Sequence, residues 1–346
     1  MNSAPTSHAE MPIPVKPQGE NGTREKSGKL PPSRPTFWGH VQIARIDHWF
    51  KNVFVFPGIV VALGLDPSLL STPGLPIQLF FGLLAVCLVA SSNYVVNEVL
   101  DAPNDRLHPT KCNRPVPSGK VSIPLAYVQW IFLMVVGLGI ALQVSFPFAM
   151  TMLVLWIMGC IYNIPPVRSK DLPYLDVLSE AVNNPLRMMA GWYIAGAHIL
   201  PPASLLISYW MIGCYFMAMK RFSEYRHIDD PVRAAAYRKS FSFYTEPRLL
   251  VSVMFYGSAA MLFFGSFLIR YRFELILAFP ILAFVMATYL SLAFKENSAV
   301  QNPEGLYREP ALMTAVITCT LTMAILMFID IPFLYETFHP SLPLTK

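Results

Sequence analysis

The most distinctive polar residues of this sequence lie at the end of an apolar segment. Asn97, Asp101 and Asp105 follow one another at intervals of four residues, so on a helix they fall within roughly 80° of one face. Amide and carboxylate oxygens are ligands of Mg²⁺, an ion that usually keeps several waters and is shared with substrate phosphates. The spacing predicts a magnesium site, and a solvated helix end is the alternative. Glu98 points to another face.

The residues that follow this stripe modify the prediction in two ways. Pro103 cannot donate a backbone hydrogen bond and should distort or end the helix, which would put Asp105 on a loop. Four basic residues follow Asp105 within the next nine positions of the sequence: Arg106, His108, Lys111 and Arg114. A metal-bound diphosphate requires additional cations nearby, so the stretch predicts phosphate binding.

A second polar cluster lies in the segment YNIPPVRSKDLPYLD. Tyr162 and Asp176 stand at its two ends, beside apolar segments, and Arg168 and Lys170 lie between them. The two cations either line the same site or serve only as topology signals.

The apolar segment after this loop carries ionisable residues inside it. Asp176, Glu180, Asn184 and Arg187 recur at spacings of four, four and three, which predicts one polar face on a helix that Pro185 loosens. A charged group within a bilayer costs about 2.5 to 3.5 kcal/mol, so such groups face a cavity or one another. The stripe is expected to line a cavity, and a structural pair of Glu180 with Arg187 is the alternative.

A third cluster begins at the end of the sixth apolar segment, with Lys220, Arg221 and Glu224. The connection that follows contains further charged and aromatic residues, including Tyr237, Arg238 and Lys239. Its composition favours an amphipathic cap over the site, with a solvated loop as the alternative.

Long apolar blocks must position these clusters. The chain has 346 residues, of which 54% are hydrophobic and 14% charged, and this composition excludes an ordinary soluble domain. A helix crosses the hydrocarbon core with about 20 residues. Nine predicted spans lie at roughly 53–65, 77–96, 123–144, 148–162, 177–197, 204–219, 249–269, 275–294 and 311–331. Because backbone groups in lipid need internal partners, an all-α bundle without a sheet is expected.

Basic residues indicate the orientation. Of the 26 lysines and arginines, 22 lie in the N-terminal tail and the even-numbered loops, and such loops are cytoplasmic. The N-terminus is therefore expected in the cytoplasm, the C-terminus outside, and all three clusters around one cytoplasm-facing pocket.

The two ends of the chain are expected to be separate from the transmembrane domain at 37–335. Residues 1–36 contain seven prolines and no apolar core segment, which predicts a disordered cytoplasmic tail. Residues 336–346 form a short C-terminal tail. The five cysteines contain no C-x-x-C pair, so a disulfide or metal-thiolate framework is not expected.

This sequence resembles the UbiA superfamily of intramembrane prenyltransferases in three features. They are the N-x-x-x-D-x-x-x-D stripe, the Y-x-x-P-P-x-R-x-K-x-x-P loop and the helical bundle. Within it, NEVLDAPNDRLHPTKCNRPVPSGKVS and RIDHWFKNVFVFPG are similar to the decaprenyl-phosphate phosphoribosyltransferase branch. Glu98 stands where the family usually has aspartate. Members that use prenyl diphosphates usually carry a second D-x-x-x-D motif, whereas KRFSEYRHIDD here resembles the K-R-x-x-E of the phosphoribosyl branch.

The resemblance implies which residues act in the reaction. Asn97, Asp101 and Asp105 would be catalytic, holding Mg²⁺ on the diphosphate of 5-phosphoribosyl 1-diphosphate. Substrate groups would be bound by a mixed set: Lys51, Arg106, Lys111, Arg114, Tyr162, Lys170, Asp176, Arg187, Lys220, Arg221 and Glu224.

The implied reaction is attack by the phosphate oxygen of a polyprenyl phosphate on ribose C1, with release of diphosphate. The lipid acceptor would stay in the bacterial inner membrane while the donor enters from the cytoplasm, and no nucleic acid takes part. In this branch the product leads to polyprenyl-phosphate arabinose, which serves cell-wall glycans or the arabinosylation of nodulation factors.

Two other functions compete with this one. An aromatic prenyltransferase of the same superfamily would need a second acidic motif, for which Asp229 and Asp230 are available. A transporter would place polar residues on both sides of the membrane midplane, whereas the predicted outer side is nearly bare of charge.

Overall fold

The computed structural model describes residues 34–106, 111–228, 230–295, 298–301 and 303–338. All regular elements in these ranges are helices, so the predicted all-α class is confirmed. Of the predicted tails at 1–36 and 336–346, residues 1–33 and 339–346 lie outside the described residues. His108 and Asp229 also lie outside them.

The described residues form thirteen α-helices, with short 3-10 helices between several of them. In chain order, α1 to α13 are Phe37–Ile43, Phe56–Leu65, Leu75–Asp105, Ile123–Val144, Phe146–Asn163, Leu175–Ala181, Asn183–Ile194, Ala203–Ile228, Pro231–Tyr237, Glu246–Tyr271, Phe279–Ala293, Pro310–Leu326 and Pro332–Thr337. The 3-10 helices are Ile46–Val55, Pro67–Ser71, Lys111–Asn113, Ser169–Asp171, Lys239–Ser242, Phe273–Ala278 and Pro303–Arg308.

Prolines begin many of the long helices. The first turns of α2, α3, α4, α5, α10, α11 and α12 each contain one, where the missing N–H removes no intrahelical bond. At α5 the Ser145 hydroxyl also accepts a hydrogen bond from the Phe148 amide (3.2 Å), which satisfies one free donor of the first turn. The high proline content therefore marks helix starts within an apolar chain.

Seven helical segments in the described ranges are long and apolar enough to cross a membrane. They correspond to seven of the nine predicted spans: Phe37–Leu65, Leu75–Asp105, Ile123–Val144, Phe146–Asn163, Ala203–Ile228, Glu246–Tyr271 and Phe273–Ala293. The predicted ninth span contains the shorter apolar helix α12. The protein is a multi-pass membrane protein, and the count of nine spans stays a prediction.

The predicted span at 177–197, on a helix that Pro185 was expected to loosen, is divided between α6 and α7. The helix breaks between α6 and α7 at Val182. The Asn183 side-chain amide donates to the carbonyl of Glu180 (3.0 Å), and Pro185 has no N–H with which to continue the ladder. Asp176 and Arg187 consequently lie on different helices.

Long antiparallel pairs form the body of the bundle. α3 packs along α4, and α8 packs along α10. The ends of α3, α5 and α8 and the start of α6 meet on one side of the protein, joined by the contacts between side chains described below. This side, called the polar end, contains all three clusters that the sequence singles out.

Candidate active site

The metal-ligand stripe lies on the last three turns of α3. The helix continues through Pro103 to Asp105, so the expectation that Asp105 lies on a loop is wrong. Pro103 is in the final turn, where it removes a single backbone bond, and the Arg106 amide still donates to the carbonyl of Ala102 (3.1 Å). The three side chains therefore keep their helical spacing.

Basic side chains of two loops contact the carboxylates of this stripe. Asp101 Oδ1 accepts hydrogen bonds from Lys170 Nζ (2.6 Å) and Arg168 Nη2 (3.0 Å). Asp105 Oδ2 accepts one from Arg114 Nη1 (2.7 Å). The acidic stripe and the cations predicted to neutralise a diphosphate thus form one cluster.

Asn163, the last residue of α5, connects the stripe to the next loop. Its Oδ1 accepts hydrogen bonds from Asn97 Nδ2 (2.5 Å) and Lys170 Nζ (2.9 Å). Its own amide group donates to the carbonyl of Gly159 (2.9 Å), which fixes its orientation. Sequence reasoning missed this residue, although an amide at the end of an apolar helix was an available signal.

Glu98 has a structural role one residue after Asn97. Its side chain is buried and accepts a hydrogen bond from the backbone amide of Val116 (3.0 Å). Val116 itself is buried in an apolar cluster with side chains of α3. This contact holds the loop that presents Lys111 and Arg114, in agreement with the expectation that Glu98 points away from the metal ligands.

The end of α8 contributes a buried charge network. Arg221 donates from Nε to Asp176 Oδ2 and from Nη1 to Glu224 Oε2, each at 3.1 Å. Lys220 Nζ lies 3.9 Å from Glu224 Oε1. Glu224 is therefore balanced by two cations of its own helix.

Asp176 anchors the segment after α8 and is completely buried. Besides Arg221, its carboxylate accepts hydrogen bonds from Ser240 Oγ (3.1 Å) and the Tyr244 hydroxyl (2.6 Å). These partners enclose the carboxylate of Asp176, so its contacts in the structure are those of an anchor, and its predicted place in the lining of the pocket stays a prediction.

The connection between α8 and α10 lies against the first two clusters. Lys111 Nζ lies 5.5 Å from the centre of the Tyr237 ring, and Lys239 Nζ lies 3.4 Å from Asp171 Oδ2. Arg238 Nη1 lies 3.9 Å from Asp176 Oδ2. These contacts agree with a cap formed by residues 231–242, and burial beneath it lowers the pKa of Lys111 below its ordinary value.

The remaining predicted residues have different surroundings. Tyr162 is next to Lys170, whose Nζ lies 5.8 Å from its ring centre. Arg106 is exposed at the end of α3. Lys51 lies on the 3-10 helix Ile46–Val55, with Nζ 5.8 Å from the ring centre of Phe50. Arg187 lies on α7, after the break at Val182 in the chain.

The donor atoms of the stripe fit a hard cation. Asn97 donates through its nitrogen, which leaves its amide oxygen available, and each aspartate has one oxygen outside the ion pairs above. Two carboxylates and an amide suit Mg²⁺ that is completed by water and substrate phosphate. The described part of the chain has no group of three or more His, Cys, Asp or Glu residues that could hold a metal by itself.

Comparison with known families gives a match over most of the chain. The UbiA prenyltransferase family matches residues 52–307. The superfamily resemblance inferred from the motifs is thereby confirmed.

Three relatives illustrate the range of similarity. Nodulation protein NoeC of Azorhizobium caulinodans is 27% identical over 247 residues, 70% of this chain and 74% of that protein. Decaprenyl-phosphate phosphoribosyltransferase of Mycobacterium tuberculosis is 30% identical over 233 residues, 66% of this chain and 72% of that protein. Uncharacterized protein y4nM of Sinorhizobium fredii is 27% identical over 197 residues, and the match spans only 35% of its length.

A solved structure shares the fold. A UbiA homolog from Archaeoglobus fulgidus, bound to DMAPP and Mg²⁺, superposes with a TM-score of 0.64 at 21% identity. The superposition covers 84% of this chain and 99% of that chain. The arrangement of helices is therefore one that is known from experiment.

Proposed function

The chain belongs to the UbiA prenyltransferase family, whose members are membrane enzymes that transfer a group, and we propose that this one transfers 5-phosphoribose. The donor is 5-phosphoribosyl 1-diphosphate and the acceptor is a polyprenyl phosphate. The relatives named decaprenyl-phosphate phosphoribosyltransferase support this branch of the family.

The observation that carries the proposal is that the described carboxylates at the end of α8 and just after it are already engaged in contacts. A prenyl diphosphate enzyme of this superfamily is expected to have a second acidic metal motif there. Glu224 is instead neutralised by Arg221 and Lys220, and Asp230 caps α9 by accepting a hydrogen bond from the Val232 amide (2.9 Å). The described carboxylates at this end of α8 are therefore already paired, and Lys220, with a 26% exposed side chain, is a cation that can reach a phosphate group. This arrangement favours a phosphorylated sugar donor with one metal motif.

In the proposed reaction, an acceptor phosphate oxygen forms a bond to ribose C1 as the bond from C1 to the diphosphate oxygen breaks. Asn97, Asp101 and Asp105 would hold Mg²⁺, which when bound neutralises charge on the leaving diphosphate. Lys170 and Arg114 contact this stripe and can stabilise the remaining charge electrostatically. Because a phosphate monoester has a second pKa of about 6, the acceptor is already anionic and needs no general base.

The proposal puts the polar end on the cytoplasmic side of a bacterial inner membrane, with the N-terminus inside. This orientation follows the distribution of basic residues and gives the water-soluble donor access. The acceptor chain would remain in lipid, and the product would lead towards polyprenyl-phosphate arabinose for a cell-wall glycan or a nodulation factor.

A choice of donor tests the proposal. Membranes containing the protein are incubated with Mg²⁺ and either labelled 5-phosphoribosyl 1-diphosphate plus a polyprenyl phosphate, or labelled prenyl diphosphate plus a hydroxybenzoate. We expect a labelled, lipid-extractable product from the first pair only, formed about 10² to 10³-fold more slowly by membranes with the Asp101→Asn variant. Product from the second pair alone would establish the competing aromatic prenyltransferase.

The alkaline limit of the reaction should depend on Lys170. Burial lowers the pKa of Lys170 from its ordinary value of 10.5, and the Asp101 carboxylate opposes this shift. Since the neutral amine cannot stabilise phosphate charge, kcat/KM should fall with rising pH before pH 10.5 is reached. Arginine stays protonated, so Lys170→Arg should move this alkaline limb to higher pH.

The pH dependence of kcat/KM in detergent micelles measures this effect. Lys239→Arg is the matched control, because Lys239 is exposed and contacts Asp171 outside the stripe. An alkaline limb that is the same in wild type and Lys170→Arg would remove Lys170 from the reaction.

A further inference from the structure

Arg187 is a half-buried cation of α7, outside the contacts described for the three clusters of the polar end. It is connected to α3 through Asn52 at the level of Cys87. Cys87 precedes Asn97 by ten residues, which corresponds to about 15 Å along the helix axis. Arg187 is therefore held beside a part of α3 that precedes the metal-ligand stripe.

The guanidinium of Arg187 is held in a defined orientation. Its Nε donates to Asn52 Oδ1 (3.1 Å), and Asn52 Nδ2 donates to Cys87 Sγ (3.2 Å). Asn52 is 5% exposed. Both the oxygen and the nitrogen of the Asn52 side-chain amide therefore make hydrogen bonds, and Asn52 holds the guanidinium of Arg187 in place.

The backbones around this pair are in direct contact. A Cβ atom on Gly58 would lie 1.9 Å from the carbonyl oxygen of Met188, and one on Gly191 would lie 2.0 Å from that of Val55. Glycine at both positions allows α7 to approach α2 and the end of the 3-10 helix that carries Asn52, a packing mode of membrane helices. The position of Arg187 relative to Asn52 is therefore fixed by the fold.

The charge of Arg187 is not balanced by a carboxylate. Among the described residues, none of the ion pairs within 4 Å includes it, and the alternative of a structural pair with Glu180 is thus not supported. The hydrogen bond to Asn52 uses Nε and leaves the two terminal nitrogens outside it. Cations within a membrane are usually paired or mark a substrate site, and two guanidinium nitrogens match two oxygens of a phosphate.

We infer that Arg187, positioned by Asn52, is an anion subsite inside the bundle that binds the phosphate monoester of one substrate. This inference rests on the proposed function, because both of its substrates carry such a group: the polyprenyl phosphate at its head and the sugar at its 5-position. The stripe on α3 binds the diphosphate, and Arg187 fixes the far end of the reacting pair. Arg187 is accordingly a substrate-binding residue and Asn52 a positioning residue.

Equilibrium binding to the purified protein in detergent tests the inference without turnover. The labelled probes are farnesyl monophosphate and ribose 5-phosphate, and farnesol is the control without phosphate. We expect Arg187→Met to weaken binding of one phosphate probe at least tenfold and to leave farnesol binding unchanged. Weaker binding of farnesyl monophosphate assigns the subsite to the lipid acceptor. Weaker binding of ribose 5-phosphate assigns it to the sugar donor.

Additional variants separate binding from folding. Arg187→Lys keeps the charge but loses the planar pair of donors, so it should weaken binding less than methionine does. Asn52→Leu should weaken the same probe as Arg187→Met. Arg270→Met is the matched control, since Arg270 lies in the last turn of α10 beside Tyr271. Wild-type affinity for both probes in Arg187→Met and Arg187→Lys would overturn the inference.

Failure of the Arg187 subsite and failure of the proposed phosphoribosyl transfer give different experimental results. If no phosphoribosyl transfer is detected but probe binding depends on Arg187, the subsite stands and the reaction must be replaced. If transfer occurs and the Arg187 variants keep the wild-type KM for both substrates, the reaction stands and the subsite is wrong.

Discussion

Asp101→Asn is expected to lower turnover by about 10² to 10³-fold, the range for removal of one electrostatic contact to the charge that develops in a transition state. Asp101 is in the middle of the stripe, and its carboxylate contacts both Lys170 and Arg168. Asparagine keeps the shape but removes a negative charge that the metal requires. Since the Asp101 side chain is 24% exposed, the substitution should leave folding and membrane insertion intact.

The rate of product formation at increasing Mg²⁺ concentrations measures this effect. Asp171→Asn is the matched control, because Asp171 also pairs with Arg168 (3.2 Å) but lies outside the stripe. It should retain turnover within a few-fold of wild type. Full activity in both Asp101→Asn and Asp105→Asn would remove the metal assignment.

Asp176→Ala is expected to destabilise the protein by about 3 to 5 kcal/mol, the cost of removing one partner of a buried ion pair. Arg221 is 2% exposed, and without Asp176 its Nε would have no carboxylate beside it. Ser240 and Tyr244 would also lose their acceptor. The cap over the polar end should therefore detach before the transmembrane helices unfold.

Thermal unfolding in detergent, followed together with protease cleavage within residues 231–245, measures both effects. Asp330→Ala is the control, since Asp330 pairs with Arg272 at 2.6 Å but has an 80% exposed side chain. An exposed pair contributes about 0 to 1 kcal/mol, so this variant should resemble wild type. Equal unfolding temperatures for the two variants would contradict the anchoring role of Asp176.

The two predictions separate roles that look alike in the sequence. Asp101 and Asp176 are both aspartates at the membrane end of an apolar segment. Asp101 is partly exposed among loop cations, whereas Asp176 is enclosed by an arginine, a serine and a tyrosine from residues far along the chain. Loss of the first should affect turnover, and loss of the second should affect stability.

The sequence by itself determined the class of protein and the location of the stripe. The hydropathy of a segment depends only on its own residues, and the thickness of a bilayer sets how many residues a membrane-crossing helix needs. Long apolar blocks therefore predict transmembrane helices without knowledge of packing. The spacing of Asn97, Asp101 and Asp105 needs only the helical repeat. The helix expected to be loosened by Pro185 is interrupted at Val182, whereas α3 continues past Pro103, which was not predicted. Neighbouring helices and loops decide whether a proline ends a helix.

Only the tertiary structure decided which polar groups meet. Asn163 joins Asn97 across 66 positions, and Arg187 joins Asn52 across 135. Such pairs depend on which helix faces pack together, and periodicity within one segment contains no information about that. Burial then separates a carboxylate that is free to take a metal from one that is already saturated, since desolvation forces an enclosed charge to find its partner within the fold.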